Sequence, residues 1–219
     1  PLIVEGQLIG VITLGSYGPR SFSQDHLRLV TIACSQAAMA IKNAILYRRT
    51  EELAITDSMT GLYNYRYFYI RLADEIQRAR DQGRKLSVIY LDLDDFKQYN
   101  DLHGHQAGDA VLRDFAFLIR KCTRDSDVAA RYAGDEFVVL LPNTDQPEAT
   151  VVGERIRAAV EEFSFDTACN LRLRVTVSVG IAAFPADAED ESELIHAADK
   201  AMYSSKALGN RVSTYAGAQ

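Results

Sequence analysis

Two adjacent carboxylates, Asp135 and Glu136, lie in the stretch of the chain with the clearest chemical potential. Residues 131–137 read Arg-Tyr-Ala-Gly-Asp-Glu-Phe between two apolar runs, which predicts a β-hairpin with Gly134 in its tight turn. Neighbouring carboxylates at a turn repel each other and destabilise the fold unless a cation or another partner neutralises them. The hairpin is therefore a candidate metal site.

A second acidic cluster follows a predicted buried strand at residues 86–91. Residues 92–95 read Asp-Leu-Asp-Asp. Two strand ends that both carry carboxylates could form a divalent-metal site for phosphoryl or nucleotidyl transfer. The alternative is structural, namely an acidic surface hairpin together with a helix N-cap at Asp94. Spacing alone leaves both interpretations open.

The pattern of apolar residues predicts the elements that would position these carboxylates. Five helices are predicted, at residues 65–81, 95–101, 106–120, 146–163 and 191–207. Besides the hairpin, three strands are predicted, at residues 86–92, 171–183 and 211–215. Helices packed against a mostly antiparallel sheet make an α+β sandwich.

The N-terminal part is predicted to form two short strands followed by one long helix. Residues 1–16 give the strands, with Glu5-Gly6-Gln7 as the turn, and Ser21 or Ser23 can cap a helix that continues to about Ile55. At ~1.5 Å per residue this helix would span about 50 Å. We expect a coiled coil that joins two chains into a homodimer, the alternative being a helix packed within its own chain. A heptad stripe of apolar residues runs along it: Leu27, Val30, Cys34, Ala37, Ile41 and Ala44.

Composition limits the function classes. The 219 residues carry a net charge of −6, which argues against a general nucleic-acid or acidic-membrane binder. No apolar run approaches the ~18 residues that span a bilayer. Three scattered cysteines lack metal-binding spacing and favour a reduced, cytoplasmic protein. Because the chain opens on Pro1 and not on Met, we expect a piece of a longer protein, whose upstream part could carry a membrane anchor.

Four motifs in the same order resemble those of the GGDEF family, the diguanylate cyclases. The hairpin is similar to the family signature, with Ala133 at the first glycine position. The other matches are Asp-Ser-Met-Thr-Gly-Leu-Tyr-Asn at residues 57–64, the acidic stretch at residues 92–101, and Gly-His-Gln-Ala-Gly-Asp at residues 104–109. The resemblance covers residues 56–216 and implies a palm-like sheet of the nucleotidyl cyclase type with flanking helices.

The N-terminal part resembles the end of a GAF domain, through Gly10-Val11-Ile12 and residues 36–44. The resemblances together imply three parts. They are the closing strands of a GAF-like domain at residues 1–21, a signalling coiled-coil helix at residues 22–56, and a diguanylate cyclase domain at residues 57–219.

The resemblance to diguanylate cyclases implies an enzyme that condenses two GTP molecules to cyclic di-GMP and releases two pyrophosphates. Each domain of this family holds one GTP, so turnover needs two domains facing each other. Two Mg²⁺ ions per site, with Mn²⁺ as a substitute, would be held by Asp92, the Leu93 carbonyl, Asp135 and Glu136. Glu136 is also a candidate for helping to deprotonate the attacking hydroxyl. The alternative is an inactive domain that binds GTP or cyclic di-GMP in signalling.

The resemblance also implies where GTP binds. Asn100 and Asp109 would bind the guanine edge, since a carboxylate accepts from guanine N1–H and N2–H₂, which adenine cannot match. Their alternative role is as helix caps near Gly104 and Gly108. His103 and His105 are interpreted as structural. Further substrate contacts are implied at Phe96, Lys97, Ala133, Gly134, Lys206 and Arg211.

Two positions depart from the family pattern. Asn210 stands where the family has a cation four residues after Lys206, so either Arg211 substitutes or triphosphate binding is weaker. Ala133 replaces a glycine, which costs little if its φ is negative and its methyl group avoids the ribose.

Three residues match the RxxD product-inhibition site of the family. Arg124 and Asp127 have its spacing, and Arg155 matches its second arginine. Arginine binds phosphates in bidentate fashion and stacks on guanine, so the chemistry suits cyclic di-GMP.

Overall fold

A computed structural model describes residues 1–4, 7–15, 17–18, 22–166, 172–173 and 175–216. The chain divides into two compact units, Pro1–Ala54 and Ile55–Gln219. In the first unit, strand β1 (Leu2–Val4) pairs antiparallel with β2 (Gln7–Gly10), which confirms the predicted pair of strands. The second strand is shorter than predicted, since residues 11–15 form no strand, and it begins at Gln7, which was predicted to lie in the turn. The rest of that turn and the capping candidate Ser21 lie outside the described residues.

Helix α1 (Gln24–Ile55) begins and ends where the sequence predicts. Ser23 caps it, because its Oγ accepts a hydrogen bond from His26 N at 3.3 Å while Ser23 N donates to His26 Nδ1 at 3.2 Å. An apolar helix surface is typical of helices that associate, although dimerisation itself stays a prediction. Several large apolar side chains are exposed along α1: Leu27, Leu29, Ile32, Met39, Ile41 and Ile45. No helix in the described ranges combines the length and apolar character needed to cross a membrane.

The second unit is built on one six-stranded sheet. The strands of this unit are β3 (Tyr63–Asn64), β4 (Leu86–Leu93), β5 (Val128–Ala133), β6 (Glu136–Pro142), β7 (Phe165–Asp166), β8 (Arg172–Leu173), β9 (Val177–Phe184) and β10 (Val212–Thr214). The sheet order is β10-β9-β4-β6-β5-β3, while β7 and β8 pair only with each other. Its central pairs are antiparallel, and only the two edge pairs, β10–β9 and β3–β5, are parallel. The prediction of a mostly antiparallel sheet is confirmed.

The prediction of one continuous strand at residues 171–183 is wrong. The strand predicted at residues 171–183 is two, because β8 pairs with β7 outside the main sheet and β9 starts only at Val177. Apolar residues alternate across the break, so their period could not reveal it. The two-residue strands β3 and β7 are too short for periodicity to detect.

All five predicted helices of the second unit form, with shifts of a few residues at their ends. They are α2 (Tyr65–Gln82), α3 (Phe96–His103), α4 (His105–Lys121), α5 (Gln146–Glu162) and α6 (Glu191–Lys206). Local chemistry explains their starts. The Asn64 side chain accepts from Tyr67 N before α2, and Asp145 forms a capping box with Glu148 before α5.

The strands alternate their side chains between two helical layers. Along β4, Ile89 and Leu91 pack in the core that contains α4 and α5, whereas Val88 and Tyr90 pack with α2 and α6. Because side chains alternate along a strand, Asp92 falls on the α2 and α6 face. The same argument applies to β6, whose Glu136 pairs in register with Asp92. Folding therefore brings the two acidic clusters together on one face.

Candidate active site

Asp92 forms the buried centre of the site. Only 3% of its surface is exposed, and Nζ of Lys206, in the last turn of α6, lies 2.8 Å from its Oδ1. Helix α6 reaches this position because it lies directly on β9 at Gly180. A Cβ atom there would lie 2.1 Å from both Ala198 O and Met202 N, so no other residue fits. The glycine thus sets the distance between α6 and the end of β4.

Lys206 is the charged partner of this buried carboxylate. Its Nζ lies within hydrogen-bond distance of Asp92 Oδ1, and its ammonium group can donate to that oxygen. Burial raises the pKa of Asp92, and the charges of Asp135 and Asp94 add to this, which outweighs the lowering effect of Lys206. Partial burial lowers the pKa of Lys206, but the Asp92 carboxylate more than compensates and raises it.

Glu136 lies beside Asp92 on the neighbouring strand. Burial raises the pKa of Glu136, and the charges of Asp92 and Asp135 raise it further, while a hydrogen bond from Tyr90 acts in the opposite direction. Burial also raises the pKa of Tyr90, which keeps its hydroxyl protonated as a donor. The carboxylates predicted as metal ligands are therefore close enough for their charges to act on Asp92 and Glu136.

Asp92 has the chemistry of a Mg²⁺ ligand, since carboxylate oxygens are the hard ligands that this cation prefers. In the described part of the chain, however, no three His, Cys, Asp or Glu side chains stand close enough together to hold a metal ion. Lys206 instead supplies the positive charge at Asp92. The predicted ligand set, which includes the Leu93 carbonyl at the end of β4, has the oxygen atoms that Mg²⁺ prefers. In this structure, however, the described side chains are too far apart to bind one ion together.

The hairpin turn is fixed by Arg131. Its Nε donates to Gly134 O at 2.9 Å, and its Nη1 lies 3.3 Å from Asp57 Oδ1. Burial would raise the pKa of Asp57, but hydrogen bonds from Thr60 and the charge of Arg131 outweigh it and lower the pKa. We infer that the pair holds the turn that carries Asp135. Both residues lie in motifs that the sequence analysis matched, but it assigned them no role.

The backbone of the turn explains why residue 134 is glycine and why residue 133 can be alanine. Gly134 has φ +49°, in the left-handed region that favours glycine. Ala133 is not among the described residues with positive φ. The backbone condition for a tolerated alanine is therefore met, and the clearance of its methyl group from the ribose stays a prediction.

A cavity of about 400 Å³ lies between the hairpin and helices α3 and α4. Asn100 and Asp109 are not helix caps, because α3 begins after Asp95 and α4 after Gly104. The structure thus contradicts the cap interpretation of both. Residues predicted to bind substrate line the cavity together with Asp135: Phe96, Lys97, Asn100, Asp109 and Gly134. His105 lines it too, which its interpretation as structural did not predict, whereas His103 packs on the Tyr99 ring at 4.9 Å.

Asn100 is held in an unusual state within this cavity. Its Oδ1 is buried and has no hydrogen-bond partner among the described residues. It lies against Gly108, where a Cβ atom would come within 1.8 Å of that oxygen. An unpartnered buried carbonyl costs about 1–3 kcal/mol, so a small rotation of the Asn100 side chain that presents this oxygen to a donor in the cavity would be favoured.

Asp94 does not cap α3, so that prediction is wrong. It accepts hydrogen bonds from Thr176 Oγ1 and Ser178 Oγ, both at 2.6 Å, and from Asn210 N at 2.8 Å. Two of these contacts join the end of β4 to the start of β9. The third joins it to the loop that follows α6, the helix whose last residue is Lys206. Only long-range contacts determine this role, so spacing alone could not reveal it.

Asn210 is directed away from the cavity. It has φ +46°, and its side chain contacts Arg157 Nη1 and Glu161 Oε1 on α5, each at 2.9 Å. It therefore serves as a link to α5 and not as a phosphate ligand. Arg211 is exposed and lies outside the described cavity lining.

The three residues predicted for product inhibition are only partly brought together. Arg124 and Asp127 line a separate cavity of about 320 Å³, and Arg124 N donates to Asp127 Oδ2 at 2.8 Å. Arg155 is not in this lining, because its Nη2 donates to Cys122 O at 2.6 Å. Arg120 lines the cavity instead, and the sequence analysis did not name it.

Comparison with known proteins gives matches to both parts of the chain. The family model described as "Diguanylate cyclase, GGDEF domain" matches residues 54–211, and that of the GAF domain matches residues 1–42. Diguanylate cyclase A of Treponema denticola is 39% identical over 97% of this chain and 58% of its own length. The response regulator PleD of Caulobacter vibrioides is 40% identical over 72% of this chain and 35% of its own length. The chain thus spans less than two thirds of either relative.

Solved structures share the fold of the second unit. The coiled coil and GGDEF domain of DgcB from Caulobacter crescentus, in complex with cyclic di-GMP, has a TM-score of 0.78 and 30% identity, and the match covers 85% of this chain and 98% of that chain. The active GGEEF domain of a diguanylate cyclase from Vibrio cholerae has a TM-score of 0.66 and 29% identity, with 71% and 99% covered. The predicted palm-like α+β fold is confirmed.

Proposed function

The chain belongs to the GGDEF family of diguanylate cyclases, and from that premise we propose that it condenses two GTP molecules to cyclic di-GMP with release of two pyrophosphates. One observation carries the proposal. Asn100 has an unsatisfied, buried carbonyl in a cavity that it shares with Asp109 and with the turn bearing Asp135. Groups that can recognise a base therefore lie next to groups that can act on a phosphate.

Guanine recognition follows from the donors and acceptors in this cavity. Asn100 Oδ1 and the Asp109 carboxylate both accept hydrogen bonds, and guanine offers the N1–H and N2–H₂ donors on one edge. Adenine has no donor at N1, so it would leave these acceptors unpaired. The arrangement supports GTP as the substrate over ATP.

The phosphates would be bound by cations and by free amides. Lys97 and Lys206 provide compact positive charges that suit triphosphate oxygens. The first turn of α3 begins at Phe96 without a side-chain cap, so its backbone N–H groups are suited to donate hydrogen bonds to a phosphate. We assign no phosphate contact to Asn210 and leave Arg211 as the nearest candidate cation in the sequence.

The carboxylates would hold two Mg²⁺ ions, or Mn²⁺, through Asp92, the Leu93 carbonyl, Asp135 and Glu136. Bound there, the ions neutralise phosphate charge and lower the pKa of the attacking 3′-hydroxyl. Movement of Lys206 from Asp92 to the triphosphate would release the Asp92 carboxylate for this role. Glu136, whose pKa is raised by burial and by Asp92, is suited to take up the hydroxyl proton.

Each domain holds one GTP, so the reaction requires two domains facing each other. The exposed apolar side chains of α1, of which Leu27 and Ile41 belong to the predicted heptad stripe, support a homodimer in which residues 22–56 form a signalling coiled coil. We assign residues 1–21 to the end of a GAF-like domain and residues 57–219 to the cyclase domain. A cytoplasmic location for this part of the protein follows as a proposal from its substrate.

Product inhibition would use the cavity of Arg124 and Asp127. Both residues line one concave surface, with a guanidinium for phosphate and a carboxylate for guanine. We give Arg155 a supporting role, since its guanidinium holds the Cys122 carbonyl at the base of the same segment.

The test is incubation with GTP and Mg²⁺ followed by chromatographic separation of the products. Cyclic di-GMP and pyrophosphate in a ratio of about one to two are expected. The alternative is an inactive domain that binds GTP or cyclic di-GMP as a signalling module, and the ion pair of Lys206 with Asp92 is the observation in its favour. Nucleotide binding without any product would support that alternative.

A further inference from the structure

Arg120 connects the cavity of Arg124 and Asp127 to a loop on the opposite side of that cavity. Its guanidinium lines the cavity, and its Nη2 donates to Gly61 O at 2.6 Å. Gly61 has φ +69°, so its carbonyl is presented by a backbone conformation that favours glycine. The contact ties the end of α4 to the loop at residues 57–62.

This loop is closed by its own hydrogen bonds. Gly61 N donates to Asp57 O, and Asp57 N donates to Leu62 O, both at 2.8 Å. Thr60 donates to Asp57 Oδ1 twice, from N at 2.9 Å and from Oγ1 at 2.6 Å. With this many internal contacts, the loop is expected to move as one unit. A displacement of Gly61 should therefore also displace Asp57.

Asp57 passes the connection to the hairpin. Its carboxylate pairs with Arg131 at 3.3 Å, and Arg131 Nε donates to Gly134 O at 2.9 Å. Arg131 and Gly134 line the nucleotide cavity. A continuous series of polar contacts therefore joins the two cavities through the loop.

We propose that Arg120 binds the anionic ligand of the Arg124–Asp127 cavity and, through Gly61, Asp57 and Arg131, transmits its presence to the turn that carries Asp135. The inference rests on the proposed function, because it takes cyclic di-GMP as the ligand.

The exchange of partners at Arg120 drives the coupling. A guanidinium can pair with a phosphate through two parallel hydrogen bonds between opposite charges, which the neutral Gly61 carbonyl cannot offer. A phosphate that draws the Arg120 guanidinium towards itself in this way moves Nη2 away from Gly61 O, and the loop then loses its tie to α4. The ligand prefers the state in which this tie is broken, which is the condition for coupling two sites.

The experiment uses amide hydrogen exchange on the full chain, with and without cyclic di-GMP, and calorimetry for the affinity. The variants are Arg120→Gln, which removes the charge, and Arg120→Lys, which keeps the charge but not the fork. Arg113→Gln is the matched control, since Arg113 is exposed on the same helix and outside the cavity lining.

In the wild type and in Arg113→Gln, cyclic di-GMP should alter exchange severalfold in peptides covering residues 57–62 and 132–136. Arg120→Gln should bind cyclic di-GMP at least about tenfold more weakly, and at saturation its residues 132–136 should not respond. The affinity of Arg120→Lys for cyclic di-GMP and the response of its residues 132–136 should fall between those of the wild type and those of Arg120→Gln. An unchanged affinity of Arg120→Gln, a hairpin response equal to that of the wild type, or a wild type that does not bind the ligand would each overturn the inference.

Hydrogen exchange does not require turnover, so the two proposals can fail separately. If the wild type binds cyclic di-GMP and its hairpin responds through Arg120 but no product forms from GTP, the activity is wrong and the coupling stands. If product forms but the hairpin of the wild type is silent, the coupling is wrong and the activity stands.

Discussion

Replacement of Gly108 by Ala should impair GTP binding through a clash that the structure measures. A Cβ atom at residue 108 would lie 1.8 Å from Asn100 Oδ1 and 2.9 Å from its Cγ, so the Asn100 side chain must leave its position. Loss of a base contact by a buried polar group costs about 1–3 kcal/mol. We therefore expect the dissociation constant for GTP to rise about 5- to 150-fold.

Stability separates this effect from general damage. In an ordinary helix, Gly→Ala is stabilising by about 1 kcal/mol. Asn100→Ala should also stabilise the ligand-free protein by about 1 kcal/mol, because it removes a buried carbonyl oxygen that has no described partner. The Asn100→Ala/Gly108→Ala double variant loses the clash and keeps both gains, so its free energy of unfolding should exceed that of the wild type.

The assay is a double-mutant cycle, with urea unfolding for stability and calorimetry for GTP binding. All three variants should bind GTP weakly. Only Gly108→Ala should be less stable than helix propensity predicts, so the double variant should be more stable than the sum of the two single effects. The matched control is Ala110→Gly on the same helix, which should cost about 1 kcal/mol of stability and leave GTP binding intact. If Gly108→Ala binds GTP as tightly as the wild type, Asn100 does not recognise the base from its observed position.

Asp135→Ala or Glu136→Ala should each reduce cyclic di-GMP formation by far more than about tenfold, because a lost metal ligand leaves phosphate charge uncompensated; product at the wild-type rate would contradict the assignment. Deletion of residues 1–50 should lower the activity per chain at dilute protein, since tethering raises the effective concentration of the second domain; equal activity across a dilution series would argue against the coiled-coil dimer. Arg124→Ala should weaken cyclic di-GMP binding at least about tenfold by removing charge-assisted hydrogen bonds, and progress curves with added product would reveal an unused site if both proteins slow equally.

Local patterns predicted the site wherever short-range chemistry decides the structure. Side chains alternate along any strand, which places Asp92 on the face of Val88 and Tyr90, and the antiparallel pairing of β4 with β6 then brings Glu136 beside it. The tight turn needs a residue with positive φ, and Gly134 supplies it. Ser23 caps α1 by accepting a hydrogen bond from His26 N, only three residues along the chain.

The sequence did not predict features that depend on partners far along the chain. Asp94 looked like a helix cap because such caps are local, yet its acceptor sites are filled by Thr176, Ser178 and Asn210. Arg155 had the spacing of a ligand-binding residue, but its guanidinium is held by the Cys122 carbonyl on α4's C-terminal end. Arg120 belongs to no matched motif and is placed in the cavity only by folding.

The charge balance of the site links nucleotide binding to cation binding. Burial and the charges of neighbouring carboxylates raise the pKa of both Asp92 and Glu136, and Lys206 contacts Asp92 directly. A bare triphosphate would add further negative charge to this cluster and would draw Lys206 away from Asp92. The nucleotide should therefore bind tightly only together with divalent cations. Because Asn210 is held by α5 and adds no charge, this dependence should be steeper than in relatives that keep a cation at that position.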